Sequence, residues 1–185
     1  MSIIYLLPIE PIKEEYLQHA GLAIEKIFDF PFQILKSQFK AEIAYDYSRE
    51  QYNSTLILSK IIEFIPNNAE KIIGITDVDL FVPVLTYVFG EAQLGGKAAL
   101  VSISRLKNEF YGLPKNDALL IDRINKEVIH ELGHTFGLYH CDYYECVMNS
   151  SMYVENIDLK RIDFCQKCRT ILNLNITKQS SKNNK

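Results

Sequence analysis

The run H-E-x-x-H-x-x-G-x-x-H, from His130 to His140, limits its part of the chain to very few local structures. Two histidines four residues apart lie on one face of a helix, so His130 and His134 can bind one metal ion. Gly137 permits the left-handed turn that ends such a helix, and the returning chain can supply His140 as a third ligand. Glu131 projects beside the same face, where it can serve as a general base. Three protein ligands leave one position open, as in catalytic zinc sites.

The alternative to a metal site is a helix that ends in a glycine cap and carries its histidines by chance. A bare H-E-x-x-H is much less specific than the extended pattern, which fixes five positions in eleven. Three of the four histidines in the chain fall inside that pattern. This concentration favours the metal site.

The four cysteines form a second candidate site. Their spacing is C-x4-C, then 18 residues, then C-x2-C, at positions Cys141, Cys146, Cys165 and Cys168. Such spacing is typical of a structural zinc site with four thiolate ligands. The alternatives are two disulfides or buried free thiols. Disulfides need an oxidising compartment, and the N-terminus lacks the positively charged segment of an export signal, so zinc is favoured.

The two patterns together resemble a known family. The run H-E-x-x-H-x-x-G-x-x-H-C-x4-C-x-M, followed by C-x2-C, is similar to that of the archaemetzincins, a branch of the metzincin metallopeptidases. The resemblance assigns Met148 to the methionine-bearing turn that lies beneath the zinc in metzincins. The interval from Met148 to the C-x2-C pair is about one residue shorter than in the family pattern, which we interpret as a difference in loop length. Residues 74–81 and 88–92 also resemble the family.

Hydrophobic patterning and turn residues predict a mixture of strands and helices. Strands are predicted at residues 2–7, 71–76, 84–92 and 98–104, and one further strand is predicted within residues 32–45. Helices are predicted from Pro11 onward, at 49–65, from Asn116 or Asp117 through the histidine motif, and at 165–174. This mixture predicts an α/β or α+β fold. The resemblance implies a twisted, mostly parallel sheet with one antiparallel edge strand.

We divide the chain into three parts. Residues 1–137 form a catalytic subdomain that includes the active-site helix, and residues 138–177 form a small subdomain with the four-cysteine site and the methionine turn. Residues 178–185 are polar and are predicted to be disordered. Cys141 directly follows His140, so we expect the second zinc to brace the first.

Composition narrows the class of partner. The chain of 185 residues carries 20 basic and 23 acidic residues, a net charge of −3, which gives no electrostatic case for binding nucleic acid. No apolar run is long enough to cross a membrane. These features predict a cytoplasmic protein with no nucleic-acid or membrane partner, and a monomer is favoured.

The predicted function is that of a zinc-dependent peptidase with two zinc ions, acting on a peptide or protein substrate with Glu131 as general base. One alternative is a catalytically silent binding module that keeps the metals. Another is a structural scaffold in which Asp142 or Glu145 closes the three-histidine site. A tyrosine could stabilise the oxyanion, and four are near in sequence without one being preferred: Tyr139, Tyr143, Tyr144 and Tyr153.

Overall fold

The computed structural model of the protein describes residues 2–183, with side chains described to residue 179. The strands are β1 (Ile3–Ile9), β2 (Phe32–Ile34), β3 (Tyr45–Asp46), β4 (Gln51–Asn53), β5 (Ala69–Thr76), β6 (Leu80–Phe81), β7 (Gly90–Ala92) and β8 (Ala98–Ser102). The helices are α1 (Glu14–Phe28), α2 (Ser54–Ile62), α3 (Asp117–Thr135), α4 (Val154–Leu159) and α5 (Gln166–Asn183). Short 3-10 helices cover Ala41–Ala44, Ser104–Leu106 and Asn108–Tyr111. The mixed α/β class is confirmed.

The main sheet has the strand order β2-β1-β5-β8-β7. Four of its strands are parallel, and β7 pairs antiparallel with β8 at one edge. The mostly parallel sheet with one antiparallel edge strand is therefore confirmed, and β5 is its central strand. A smaller sheet joins β3, β4 and β6.

Alternating side chains of the sheet build two cores. In β1, Ile4 and Leu6 pack with α1 and α3, whereas Tyr5 and Leu7 pack with α2 on the opposite face. This separation follows from the two-residue period of a strand. The helices therefore cover both faces, and α3 lies on the same face as α1.

Helix α3 has a defined start. The side chain of Asn116 accepts a hydrogen bond from the backbone N–H of Leu119 at 3.1 Å, so Asn116 is the N-cap. Asp117 is the first helical residue, where its negative charge complements the helix dipole. The motif histidines lie at the other end of this helix.

Strand β1 extends beyond the predicted range of 2–7, because it continues through Pro8 to Ile9. The backbone N–H of Leu35 donates to the carbonyl of Leu6, so even-numbered residues of β1 direct their backbone groups toward β2. Pro8 points the same way but lies beyond Ile34, the last residue of β2. Its missing N–H therefore costs no hydrogen bond of the sheet.

The prediction of a strand at residues 84–92 is wrong for residues 84–89. Only β7 is a strand of the main sheet, and a single bridge joins Val88 to Leu80. Val84 is 88% exposed. The apolar character of this segment therefore reflects a surface loop rather than a buried strand.

The segment 32–45, which was expected to hold a strand, contains the short strand β2. The helix expected at 49–65 is shorter than predicted and is reduced to α2. The side chain of Asn53 accepts a hydrogen bond from the N–H of Leu56 at 3.2 Å and sets the start of α2. The preceding part of the predicted helix contains β4, which ends at Asn53.

The C-terminal helix is longer than predicted. Helix α5 extends to Asn183, so residues 178–183 are helical rather than disordered, while 184 and 185 lie outside the described residues. Asn175 donates a hydrogen bond to the carbonyl of Phe136, and Gln179 accepts one from Lys71, which hold α5 against the end of α3. The division into two subdomains stays a prediction. Within residues 2–183, no helix is long and apolar enough to cross a membrane.

Candidate metal centres and active site

The end of α3 is closed by a turn that returns the chain toward the helix. Gly137 has a φ of 86°, in the left-handed region. Its N–H donates to the carbonyl of His134 at 2.9 Å, and the N–H of Leu138 donates to the carbonyl of Gly133 at 3.0 Å. This pair of hydrogen bonds is the usual way in which a left-handed glycine ends a helix. The turn brings His140 back beside the two histidines of α3.

The three histidines come together as the motif predicts. One ring nitrogen from each lies within 4.8 Å of the others. The Nδ1 atom of His130 lies 2.7 Å from the carbonyl oxygen of Val147, and the Nδ1 atom of His134 lies 2.7 Å from that of Leu138. A carbonyl oxygen can only accept a hydrogen bond, so each Nδ1 must carry the hydrogen.

This tautomer leaves two lone pairs facing each other. The Nε2 atoms of His130 and His134 are 3.1 Å apart and neither carries a hydrogen in the neutral ring. Burial lowers the pKa of both imidazoles, which favours the neutral form. Facing lone pairs need a cation between them, and neutral imidazoles are suitable zinc ligands. The residues present therefore fit a zinc ion.

A fourth protein ligand is not supplied by the two acidic residues considered above. Among the described residues, no cysteine or acidic side chain joins the three histidines in a group whose potential ligand atoms all lie within 4.8 Å of one another. The carboxylate of Glu145 instead accepts a hydrogen bond from Tyr143 at 2.6 Å and pairs with Arg161 at 3.1 Å. The geometry is that of an open site.

Glu131 is buried beside the histidines and close to the edge strand. A Cβ atom at Gly90 would lie 2.7 Å from Oε1 of Glu131 and 2.6 Å from the carbonyl oxygen of Leu100. Glycine at the start of β7 thus leaves room for this carboxylate. Burial raises the pKa of Glu131 well above its usual range, and the charge of Glu127 adds to that effect.

An ion pair that sequence reasoning missed lies one helical turn away. Glu127 and Lys160 are both buried, with 3.6 Å between Oε1 and Nζ, and neither of these atoms has a hydrogen-bond partner among the described residues. The spacing of Glu127 four residues before Glu131 was a signal for the same helical face. Nothing in the sequence pointed to Lys160, which follows α4.

A cavity of about 730 Å³ opens over Glu131 and the histidines. Segments 85–92 and 150–153 both line this cavity. The hydroxyl of Tyr87 donates to the carbonyl of Met152 at 2.6 Å, so the two segments are in contact. Of the four tyrosines considered above, Tyr139 and Tyr153 line the cavity.

The edge strand exposes backbone groups to this cavity. The carbonyl of Phe89 and the N–H of Gln93 both bond to β8. In an antiparallel pair, alternate residues direct their backbone groups to opposite sides. The N–H and C=O groups of Gly90 and Ala92 therefore point away from β8, toward the cavity that these residues line.

The four cysteines also come together. Their sulfur atoms all lie within 4.8 Å of one another, and all four are free thiols. The sulfurs of Cys141 and Cys165 are 3.8 Å apart. A tetrahedral zinc with Zn–S distances of about 2.3 Å separates its sulfurs by about 3.8 Å, whereas a disulfide bond is about 2.05 Å long. The sulfur geometry fits zinc and not disulfides.

One short segment contacts both groups of ligands. The N–H of Cys141 donates to the carbonyl of Met148 at 2.9 Å. The carbonyl of the neighbouring Val147 accepts the hydrogen bond from Nδ1 of His130. Met148 is fully buried, and a Cβ atom at Gly133 of α3 would lie 2.5 Å from its sulfur. Met148 therefore packs directly against the active-site helix.

Comparison with known proteins agrees with this geometry. Residues 9–174 match the model of peptidase family M54. The archaemetzincin of Methanocaldococcus jannaschii is 42% identical over 164 residues, covering 87% of this chain and 87% of that protein. The crystal structure of archaemetzincin from Methanopyrus kandleri superposes with a TM-score of 0.82 at 30% identity, covering 95% of this chain and 96% of that one. A zinc-dependent peptidase from Methanocorpusculum labreanum gives a TM-score of 0.83 at 33% identity, covering 91% and 99%.

A group of three histidines, two of them on one helix, lies beside the free edge of a mostly parallel sheet in a fold shared with these proteins, and this combination defines a zinc metallopeptidase. More narrowly, the chain belongs to peptidase family M54, the archaemetzincins. The family suggested by the spacing of the histidines and cysteines is thereby confirmed.

Proposed function

We propose that the protein hydrolyses peptide bonds in peptide or protein substrates, with zinc held by His130, His134 and His140 and with Glu131 as general base. The observation that carries this proposal is the pair of facing Nε2 atoms beside a buried carboxylate, at the floor of an open cavity. Zinc, when bound, supplies a Lewis acid that polarises the substrate carbonyl and makes a water molecule more acidic.

Glu131 performs the proton transfers. Its carboxylate accepts the proton of the attacking water and then passes that proton to the leaving amine. Burial keeps bulk water away from the carboxylate, and Gly90 leaves room for it beside the edge strand. The substrate carbonyl can therefore approach Glu131 and the histidines from the side of β7.

The edge strand binds the substrate backbone. The outward N–H and C=O groups of Gly90 and Ala92 can pair with an extended peptide, as exposed strand edges commonly do. Backbone pairing of this kind accepts many sequences. Side-chain preference then depends on the cavity walls, to which Tyr87, Tyr139 and Tyr153 contribute aromatic surface.

A second zinc, held by Cys141, Cys146, Cys165 and Cys168, has a structural role. Four thiolate ligands complete the coordination of zinc and leave no open position. Burial raises the pKa of the Cys168 thiol well above its usual range, so a bound cation is required to keep this side chain as a thiolate. A monomeric, cytoplasmic protein that binds no nucleic acid stays a prediction from composition.

The test is cleavage profiling of zinc-loaded protein against a mixed peptide library, with Glu131→Gln as the matched control. Glutamine keeps the shape and hydrogen bonding of Glu131 but cannot accept the proton. We expect cleavage by the wild type and a loss of at least about a thousandfold in kcat for the variant, within the range that general-base catalysis contributes together with water activation. Cleavage by the variant at the wild-type rate would exclude Glu131 as the base. Zinc-dependent peptide binding without cleavage by either protein would favour the silent binding module.

A further inference from the structure

One of the buried lysines, Lys71, connects three segments of the chain. Lys71 lies on the central strand β5 and is only 2% exposed. Its ammonium group donates to the carbonyl of Gly96 at 2.8 Å, to the carbonyl of Thr135 at 2.9 Å and to Oε1 of Gln179 at 3.3 Å. Three donors thus meet three acceptors from three different segments.

Two of these segments belong to the proposed active site. Gly96 lies in the hairpin between β7 and β8, directly after the edge strand, and Thr135 is the last residue of α3. The hairpin has one further bond to this helix end, from the N–H of Gly95 to the carbonyl of His134 at 2.9 Å. These two links therefore tie the hairpin that follows the edge strand to the C-terminal end of the histidine helix.

Lys71 is the donor that the end of α3 would otherwise lack. The carbonyls of Gly133 and His134 accept bonds from backbone N–H groups of the closing turn, whereas that of Thr135 accepts from Lys71. The ammonium group also lies 4.5 Å from the ring centre of Phe136, close enough for a cation–π contact. A positive charge at a helix C-terminus is favourable as well.

We propose that Lys71 is a positioning residue, which fixes the distance between the substrate-binding edge strand and the metal-binding end of α3. The proposal rests on the proposed function, because it assumes that β7 binds the substrate backbone. Lys71 touches neither the cavity nor a metal ligand side chain, and it acts through Gly96 and Thr135. The loss of such a link weakens binding of ground state and transition state alike, which raises KM more than it lowers kcat.

The role of Lys71 depends on its protonation. Burial lowers the pKa of Lys71 to about 8. Of the charges that act on it, Glu70 raises this pKa and Lys97 lowers it, while the partners from α3, the hairpin and α5 are neutral carbonyl or amide oxygens. Above pH 8 the neutral amine has two hydrogens for three acceptors, so one acceptor is released. The KM of the wild type should therefore rise as the pH increases through this value.

The test compares Lys71→Met with Lys97→Met in the full-length, zinc-loaded protein. Lys97 is a matched control, because it is an exposed lysine of the same hairpin whose ammonium bonds to Ala69 at 3.0 Å without reaching α3. We expect Lys71→Met to raise the KM of a library-derived peptide about fivefold or more, as for the loss of one hydrogen bond, with kcat changed by less than about twofold. Its KM should also be flat between pH 7 and 9.5, whereas the KM of the wild type should rise. The KM of Lys97→Met should rise as well, but at a higher pH than in the wild type, because the charge of Lys97 lowers the pKa of Lys71.

Amide hydrogen exchange gives a readout that does not depend on catalysis. The N–H of Gly95 should exchange faster in Lys71→Met than in the wild type. Its exchange rate should not change in Lys97→Met. If the wild type cleaves no peptide, the proposed function is wrong. Hydrogen exchange then tests by itself whether Lys71 links the hairpin to the helix. If Lys71→Met does not fold, the wild type should lose protection at Gly95 between pH 7 and 9.5, after correction for intrinsic exchange. The proposal would be overturned if folded Lys71→Met had the same KM as the wild type, or if its Gly95 amide were as protected as in the wild type. If the variant does not fold, unchanged protection of Gly95 in the wild type between pH 7 and 9.5 would overturn it.

Discussion

Glu127 and Lys160 are a buried ion pair one turn before the proposed general base. Burial raises the pKa of Glu127 and lowers the pKa of Lys160, so for both groups the cost of leaving water outweighs their mutual attraction. The Nζ–Oε1 separation of 3.6 Å without a hydrogen bond is consistent with a weak pair. Such a pair contributes little net stability, although each charge needs the other.

Removing one partner should therefore cost more than removing both. We expect Glu127→Gln and Lys160→Met each to lower the free energy of unfolding by about 3–5 kcal/mol, because the remaining charge stays buried and unpaired. The double variant Glu127→Gln/Lys160→Met should recover much of this loss. Urea unfolding of the three variants at pH 7 measures the coupling energy. Additive losses in the double variant would mean that the two charges do not interact.

At the scale of elements, the active site depends on how closely β7 approaches α3. Gly90 makes this approach possible, because a Cβ atom there would meet both the side chain of Glu131 and the carbonyl oxygen of Leu100. The carbonyl belongs to the paired strand β8 and cannot move without breaking the sheet, so β7 itself would have to shift away from it. The carboxylate of Glu131 would have to move as well.

Gly90→Ala should therefore reduce catalysis more than metal binding. We expect kcat to fall on the order of tenfold to a hundredfold, as for a displacement of about 1 Å in a catalytic group. Zinc content should not change, because the atoms nearest to the added Cβ belong to Leu100 and Glu131, neither of which is a proposed metal ligand. Kinetics combined with elemental analysis checks both parts. Full activity in Gly90→Ala would show that Glu131 does not need this space.

The elements also show which contacts a single sequence can predict. The helix end at Gly137 and the meeting of His130 with His134 follow from local geometry, so the motif was sufficient. The strand at 84–92 and the end of α5 were mispredicted, because exposed Val84 is apolar and the polar residues after 178 continue a docked helix. Lys71 and Lys160 act through partners far away in sequence, which no local pattern indicates.

At the scale of the whole molecule, one segment joins the two groups of metal ligands. Cys141 follows His140, and its backbone N–H donates a hydrogen bond to the carbonyl of Met148. The side chain of Met148 packs on the active-site helix at Gly133. Phe164 and Cys168 lie in the same hydrophobic core as α1 and α3. Loss of the zinc held by the four cysteines should therefore make the segment that supports the three histidines less ordered.

Cys168→Ser tests this connection. We expect its melting temperature to fall by about 5–10 °C, which for a chain of this length corresponds to a few kcal/mol. The affinity of the three histidines for zinc should also fall, although Cys168 is not one of those ligands. Lys167→Ser, an exposed neighbour in the same helical turn, is the control and should leave both quantities unchanged. Thermal unfolding with zinc titration measures them, and unchanged zinc affinity in Cys168→Ser would show that the two sites are independent.

The most direct measurement is the zinc content of the protein before and after mild chelation, with peptidase activity followed in parallel. An open site of three histidines beside a closed site of four cysteines should hold two zinc ions per chain, with very different rates of loss. We predict that a mild chelator removes one zinc together with all activity, that added zinc restores activity, and that the second zinc remains until the protein unfolds. A single zinc per fully loaded chain, or activity that persists after the first zinc has left, would contradict the assignment of a catalytic and a structural site.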